Sequence, residues 1–126
     1  AQQVARIVSV QNCFNVVDRQ YDDVVDACEE ASVAFMPWFP LARGLLSNPD
    51  GVLHRIAASK GATPSQVALA WLLHRSPVVV PIPGTNDVGH FRSNQQAAAL
   101  ELSPVDLAAL DEIDRSTAPL VDDPSR

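Results

Sequence analysis

The chain has 126 residues, enough for one ordinary domain with a single core, and 47% hydrophobic with 19% charged residues describes a globular chain rather than a disordered one. A formal charge of -6, nine basic residues against fifteen acidic, argues against nucleic-acid and membrane partners, which are met by a basic face; no Lys/Arg cluster occurs. Cys13 and Cys28 are too few for a disulfide framework and lack metal-ligand spacing, and no signal-like or membrane-length apolar run is present, so the expected compartment is cytoplasmic and no metal site is expected.

Ala1–Arg6 reads as the last turn of a helix running straight into a strand, with no initiator Met or lead-in loop, so the chain is expected to begin inside something larger. Arg6–Gln11 is the first expected strand, rich in Val and Ile. From Gln20 to Ala31, Val24, Val25, Cys28 and Ala31 recur at helical spacing, with Asp22 and Asp23 in the first turn where the helix dipole favours carboxylates. Val33–Met36 is a second strand, closed by Pro37 and Trp38, and a loop runs on to Asp50. Val52, Leu53, Ile56 and Ala57 share one face of a short helix stopped by Gly61.

Thr63-Pro64-Ser65-Gln66 carries a cap, a first-turn Pro and a Gln three residues after the cap, so a helix is expected from there through Val67, Ala70, Trp71 and Leu73 to about Arg75. Val78–Ile82 is the third expected strand, followed by a helix from about Asp87 to Leu100. Ser103 opens a last helix with Leu107, Leu110 and Ile113 inward, and residues after Ser116 read as a loose tail. The order βαβαβα plus a helix, with continuously apolar strands, fits a parallel sheet covered by helices. It is either a small open sheet or three-eighths of a closed barrel, which takes about 250 residues.

Parallel folds bind ligands at the C-terminal ends of their strands. Those ends read Gln11-Asn12, Trp38-Phe39-Pro40-Leu41 and Pro83-Gly84-Thr85-Asn86. Gln11 offers a donor and an acceptor, Trp38 a flat apolar face, Gly84 a close backbone approach, and Thr85 and Asn86 lead to a helix N-terminus that attracts phosphate. An amide, a ring stacker and a phosphate cradle on one rim suggest a nucleotide-like ligand. Each has a plainer reading taken singly: Gln11 as a turn residue, Trp38 as rim packing, Gly84 as part of an ordinary turn, His54 and His90 as surface histidines, Cys13 as an apolar filler.

Four segments together resemble one family. Ser9-Val10-Gln11-Asn12-Cys13-Phe14-Asn15 with Asp18-Arg19, Pro37-Trp38-Phe39-Pro40-Leu41-Ala42-Arg43-Gly44, Gly61–Trp71, and Pro81-Ile82-Pro83-Gly84-Thr85 with Asn94 look like successive signatures of bacterial aldo-keto reductases, in order and covering roughly residues 5–115. The resemblance implies an α/β fold, a partial (β/α)8 TIM barrel of about three C-terminal βα units plus a final helix, with residues 1–116 as the reductase portion and 117–126 as the loose tail. It implies NADP as cofactor, NAD being the alternative. Gln11 would hold the nicotinamide carboxamide and Trp38 would stack on its ring. Phe39, Leu41 and Arg43 would line the loop over the pyrophosphate. Gly84, Thr85 and His90 would surround the adenosine 2′-phosphate, and Asn94 would contact adenine.

Departures from the family pattern bear on these roles. Lys is common where Gly84 stands, Arg where His90 stands and Glu where Ser93 stands, which weakens 2′-phosphate selection. The family's Asp, Tyr, Lys and His catalytic set lies on strands that are not in this sequence; Tyr21 and Lys60 match no motif position, so no catalytic residue is carried over and the chain alone is expected to be inactive. In the complete enzyme the substrate would be a small carbonyl compound. The competing expectations are a non-catalytic half-barrel binding or assembly module and a degenerate truncated product. Two open sheet edges, and barrel-interior faces at Val8, Val10, Phe35, Val78 and Val80 that have lost their opposite wall, imply self-association or dependence on a complementing N-terminal half.

Overall fold

A computed structural model describes residues 3–41, 46 and 48–113. Strand β1 (Ser9–Cys13) pairs in parallel with β2 (Ala34–Trp38), with Ser9 opposite Ala34 and Cys13 opposite Trp38. Between them lies α1 (Asp22–Glu30), and after them come α2 (Val52–Lys60), α3 (Pro64–Arg75), α4 (Val88–Gln96) with a 3-10 turn at Ala97–Ala99, and α5 (Pro104–Asp111). The turn at residues 3–5 stands where a helix end was expected; residues 1 and 2 and the tail lie outside the described residues.

The third expected strand contracts to a single parallel bridge between Phe35 and Val79. It is made by Phe35 N–H to the Val78 carbonyl at 2.9 Å and Val80 N–H to the Phe35 carbonyl at 2.8 Å. Pro81 and Pro83 follow at alternate positions and carry no N–H, so the ladder cannot continue. The segment still runs third in the sheet, beside β2.

Helix ends follow local chemistry. Gly61 adopts φ 62° and ends α2, a left-handed position that costs glycine little. The Thr63 hydroxyl and the Gln66 side chain form a reciprocal capping box on α3, and Ser103 with Asp106 forms another on α5. Asp106 also meets Lys60 at 2.9 Å, tying α5 to the end of α2; the Ser103 hydroxyl bond first, then the Lys60 bond, hold its carboxyl down to about 2. α1 stops at Glu30, so Ala31 is exposed rather than inward, and Ser32 at φ 53° turns the chain into β2.

The core fills the side of the sheet that faces the helices. Phe14, Phe35, Val25, Leu53, Val67, Leu72 and Leu110 have no exposed surface. Phe14 stacks on Trp71 at 5.9 Å and meets Phe35 edge-on at 5.6 Å. Leu72 enters the core while Leu73 is exposed, a one-residue rotation of the expected α3 face. Phe35 therefore does not look into a barrel interior: it is buried against the helices, and the two-residue pleat turns its neighbours Ala34, Met36 and Trp38 to the other face. That other face is uncovered, with Val80 48% and Ile82 37% exposed; the expectation of strands covered on both faces holds on one side only.

Candidate functional site

The register places two of the expected groups together. Gln11 pairs laterally with Met36, two residues before Trp38, so Gln11 and Trp38 project from the same uncovered face at the C-terminal ends of the strands. Gln11 is exposed and Trp38 half-buried. Among the described residues the Gln11 and Asn94 amides make no hydrogen bond within the chain, which leaves them free for a ligand. Because Val79 bridges Phe35 in parallel, the chain through Gly84 and Thr85 leaves the sheet at the same end as Trp38.

Phe39 carries the one backbone strain at this rim, a non-glycine φ of 57° directly after β2. Such a conformation costs roughly 1–2 kcal/mol and persists where surrounding contacts hold it. Asn15 is the holder that sequence reading left without a role. It is 1% exposed; its Nδ2 donates to the Phe39 carbonyl at 3.2 Å while its Oδ1 accepts from the Val17 and Asp18 N–H groups at 3.0 and 2.9 Å. The spacing of Asn15 to Asp18 is an Asx-turn signal, but its bond to Phe39 spans 24 residues and leaves no local trace. The Phe39 ring lies 6.5 Å from that of Trp38, tilted by 60°. Leu41 is half-buried and packs on the core edge. Arg43 lies outside the described residues.

The second half of the rim differs from its expectation as a phosphate cradle. Asp87 caps α4, accepting the His90 N–H at 2.7 Å, and the Thr85 hydroxyl accepts the Asp87 N–H at 3.1 Å. A fixed carboxylate thus occupies part of the helix N-terminus and opposes an anion there. The His90 ring sits 4.0 Å from the same carboxylate and is largely exposed. A Cβ at Gly84 would meet no atom within 4 Å, so the backbone there is open to a close approach. Asn94 is half-buried on α4.

Other polar groups belong to the fold. Tyr21 precedes α1 as its cap residue, and Lys60 is engaged by Asp106, so neither faces the rim. His54 donates from Nε2 to the Leu46 carbonyl at 2.9 Å, and Arg75 clamps Asp22 and Asp26 of α1. A hollow of about 550 Å³ lined by Arg6, Val8, Ala31 and Ser32 lies at the opposite, N-terminal end of the strands. Among the described residues no His, Cys, Asp or Glu group is placed to hold a metal, and no helix is long and apolar enough to cross a membrane.

Cys13, opposite Trp38, is buried and its thiol is pushed up to about 12, by burial first and then by the charge and hydrogen bond of Asp18. Burial raises Cys28 as well. At pH 8 both thiols should therefore react with an alkylating reagent on the order of a thousandfold more slowly than a free cysteine, and recover normal rates in denaturant. Labelling of native Cys13 at the free-thiol rate would mean that the rim behind Trp38 is open.

Comparison with known proteins agrees with this geometry. The profile of the Aldo/keto reductase family matches residues 1–115. The chain is 47% identical over 115 residues to pyridoxine 4-dehydrogenase of Escherichia coli, covering 91% of this chain and 40% of that protein. It is 45% identical over 116 residues to an uncharacterized oxidoreductase of Schizosaccharomyces pombe, covering 92% and 38%. An aldo/keto reductase from Klebsiella pneumoniae solved with NADP and acetate superposes with a TM-score of 0.76 at 26% identity, over 86% of this chain and 40% of that one. A thermostable aldo-keto reductase bound to the inhibitor epalrestat gives 0.76 at 36% identity, over 84% and 39%. The chain thus spans about two fifths of the length of the relatives it matches.

Proposed function

The chain belongs to the aldo/keto reductase family, and from that premise we propose that it forms the C-terminal, cofactor-binding part of an NADP-dependent oxidoreductase. Its strand segments stand as the sixth, seventh and eighth of a (β/α)8 barrel whose other strands pack on the uncovered face. In the complete enzyme a bound nicotinamide cofactor supplies or takes up the hydride exchanged with an aldehyde or ketone.

One observation carries the reading: a free amide and a half-buried indole project side by side from the ligand-binding end of a parallel sheet. Gln11 has the donor and acceptor needed to orient a carboxamide. Trp38 shields one face of a ring and leaves the other to the substrate. Phe39, Leu41 and Arg43 border the pyrophosphate. Gly84, Thr85 and His90 receive the adenosine 2′-phosphate, with Asp87 reducing the selectivity for it over NAD, and Asn94 meets adenine. No residue of this chain is assigned to proton transfer.

Calorimetric titration with NADPH tests the assignment. Saturable binding is expected, weakened about tenfold by Trp38→Ala, as follows from losing roughly 1.4 kcal/mol of stacking. Unchanged affinity in that variant would remove Trp38 from the site. No binding by folded protein would instead favour a non-catalytic assembly module, which the exposed Val80 and Ile82 would serve as a docking face.

A further inference from the structure

Helix α4, which carries His90 and Asn94, buries none of its own residues, so burial alone does not explain how it is held. The side chain that reaches it is Gln66, at the third position of α3 and only 7% exposed. Its Oε1 accepts the Thr63 N–H at 2.8 Å and completes the capping box of α3. Its Nε2 points the other way and donates to the Ser93 carbonyl at 3.0 Å and to Gln96 Oε1 at 3.1 Å. Those two acceptors flank Asn94 in the sequence, one residue before it and two after.

We propose that Gln66 is a positioning residue: one buried amide both caps α3 and sets the placement of α4, and through it the adenosine end of the cofactor site. This inference rests on the cofactor reading above. A shift of about 1 Å at a binding group can cost a hundredfold, so a partial release of α4 is expected to cost about tenfold.

Gln66→Glu separates the two tasks. Glutamate keeps the acceptor that the Thr63 N–H needs and is a favoured residue at this cap position, so α3 stands. It removes the donor and turns a carboxylate toward the Ser93 carbonyl. The variant and the wild-type protein are titrated by NMR with adenosine 2′,5′-bisphosphate, which reads α4, and with nicotinamide mononucleotide, which reads β1 and β2. Amide shifts of the ligand-free protein are recorded as well.

The expected result is an affinity for the bisphosphate lower by about tenfold, nicotinamide mononucleotide binding within about twofold, and free-protein shifts concentrated in residues 88–96. Equal loss of both ligands would mean general destabilisation and overturn the proposal. No change in either would overturn it too, leaving the cofactor reading intact. A folded wild-type protein that binds neither ligand would overturn the cofactor reading and this inference with it.

Discussion

Phe14→Ala is expected to bring the protein close to unfolding. Phe14 has no exposed surface; its ring lies 5.9 Å from Trp71, nearly parallel at 22°, and stands edge-on to Phe35 at 84°. It is the point where the end of β1, the middle of β2 and α3 meet. Truncating a buried Phe to Ala costs about 3–5 kcal/mol, because the apolar surface is lost and the cavity closes only in part. Total stabilities run from about 5 to 15 kcal/mol, so the loss takes a third of the stability or more. Urea denaturation followed by Trp71 fluorescence measures it directly. Phe14→Leu, which keeps most of the volume, should cost less than about 2 kcal/mol. Similar costs for both variants, or a loss below about 1 kcal/mol for Phe14→Ala, would show that this junction is not packed as described.

Arg19→Met is the second large effect, expected at about 2–4 kcal/mol. Arg19 is 8% exposed, and its guanidinium lies 4.4 Å from the centre of the Trp71 ring. Nε donates to the Val16 carbonyl at 3.0 Å, Nη2 to the Leu110 carbonyl at 2.8 Å and Nη1 to Asp111 at 2.9 Å. Asp111 accepts from Trp71 Nε1 as well, at 3.2 Å. Methionine preserves the buried stem but leaves two carbonyls without their donor and removes the charge from the ring face. Lysine should not rescue, because a single ammonium cannot reach three acceptors and stack as a planar fork does.

The Asp111 side chain is 56% exposed, so water can take over its charge. Asp111→Asn should therefore cost no more than about 1 kcal/mol. Denaturation of Arg19→Met, Arg19→Lys and Asp111→Asn under one set of conditions decides the matter. Equal losses for Arg19→Met and Asp111→Asn would mean that the ion pair, and not the carbonyls and ring, holds the clamp.

The rim of the candidate site was legible in unequal parts. Trp38 and Gln11 could be named from where strands end, since an apolar run closed by proline marks a strand's exit. That they share a face depends on register, and register is a property of two strands rather than of either one. The phosphate expectation at Thr85 and Asn86 was only partly met, because helix α4 starts at Val88 and Asp87 caps it. A capping carboxylate and a bound phosphate compete for the same N–H groups.

By itself the sequence determined the local signals of this protein: the helix starts at Thr63 and Ser103, the stop at Gly61, the order of strand and helix, and the motifs that mark the family. These are set within a few residues, by which side chain can reach a nearby backbone group or accept a left-handed turn. Tertiary structure decided the rest. It turned Phe35 toward the helices, held Phe39 through Asn15, joined Arg19 to Asp111 across 92 residues and fastened α4 through Gln66. Each of these depends on packing or hydrogen bonding between segments far apart in the chain, where neither periodicity nor spacing carries information.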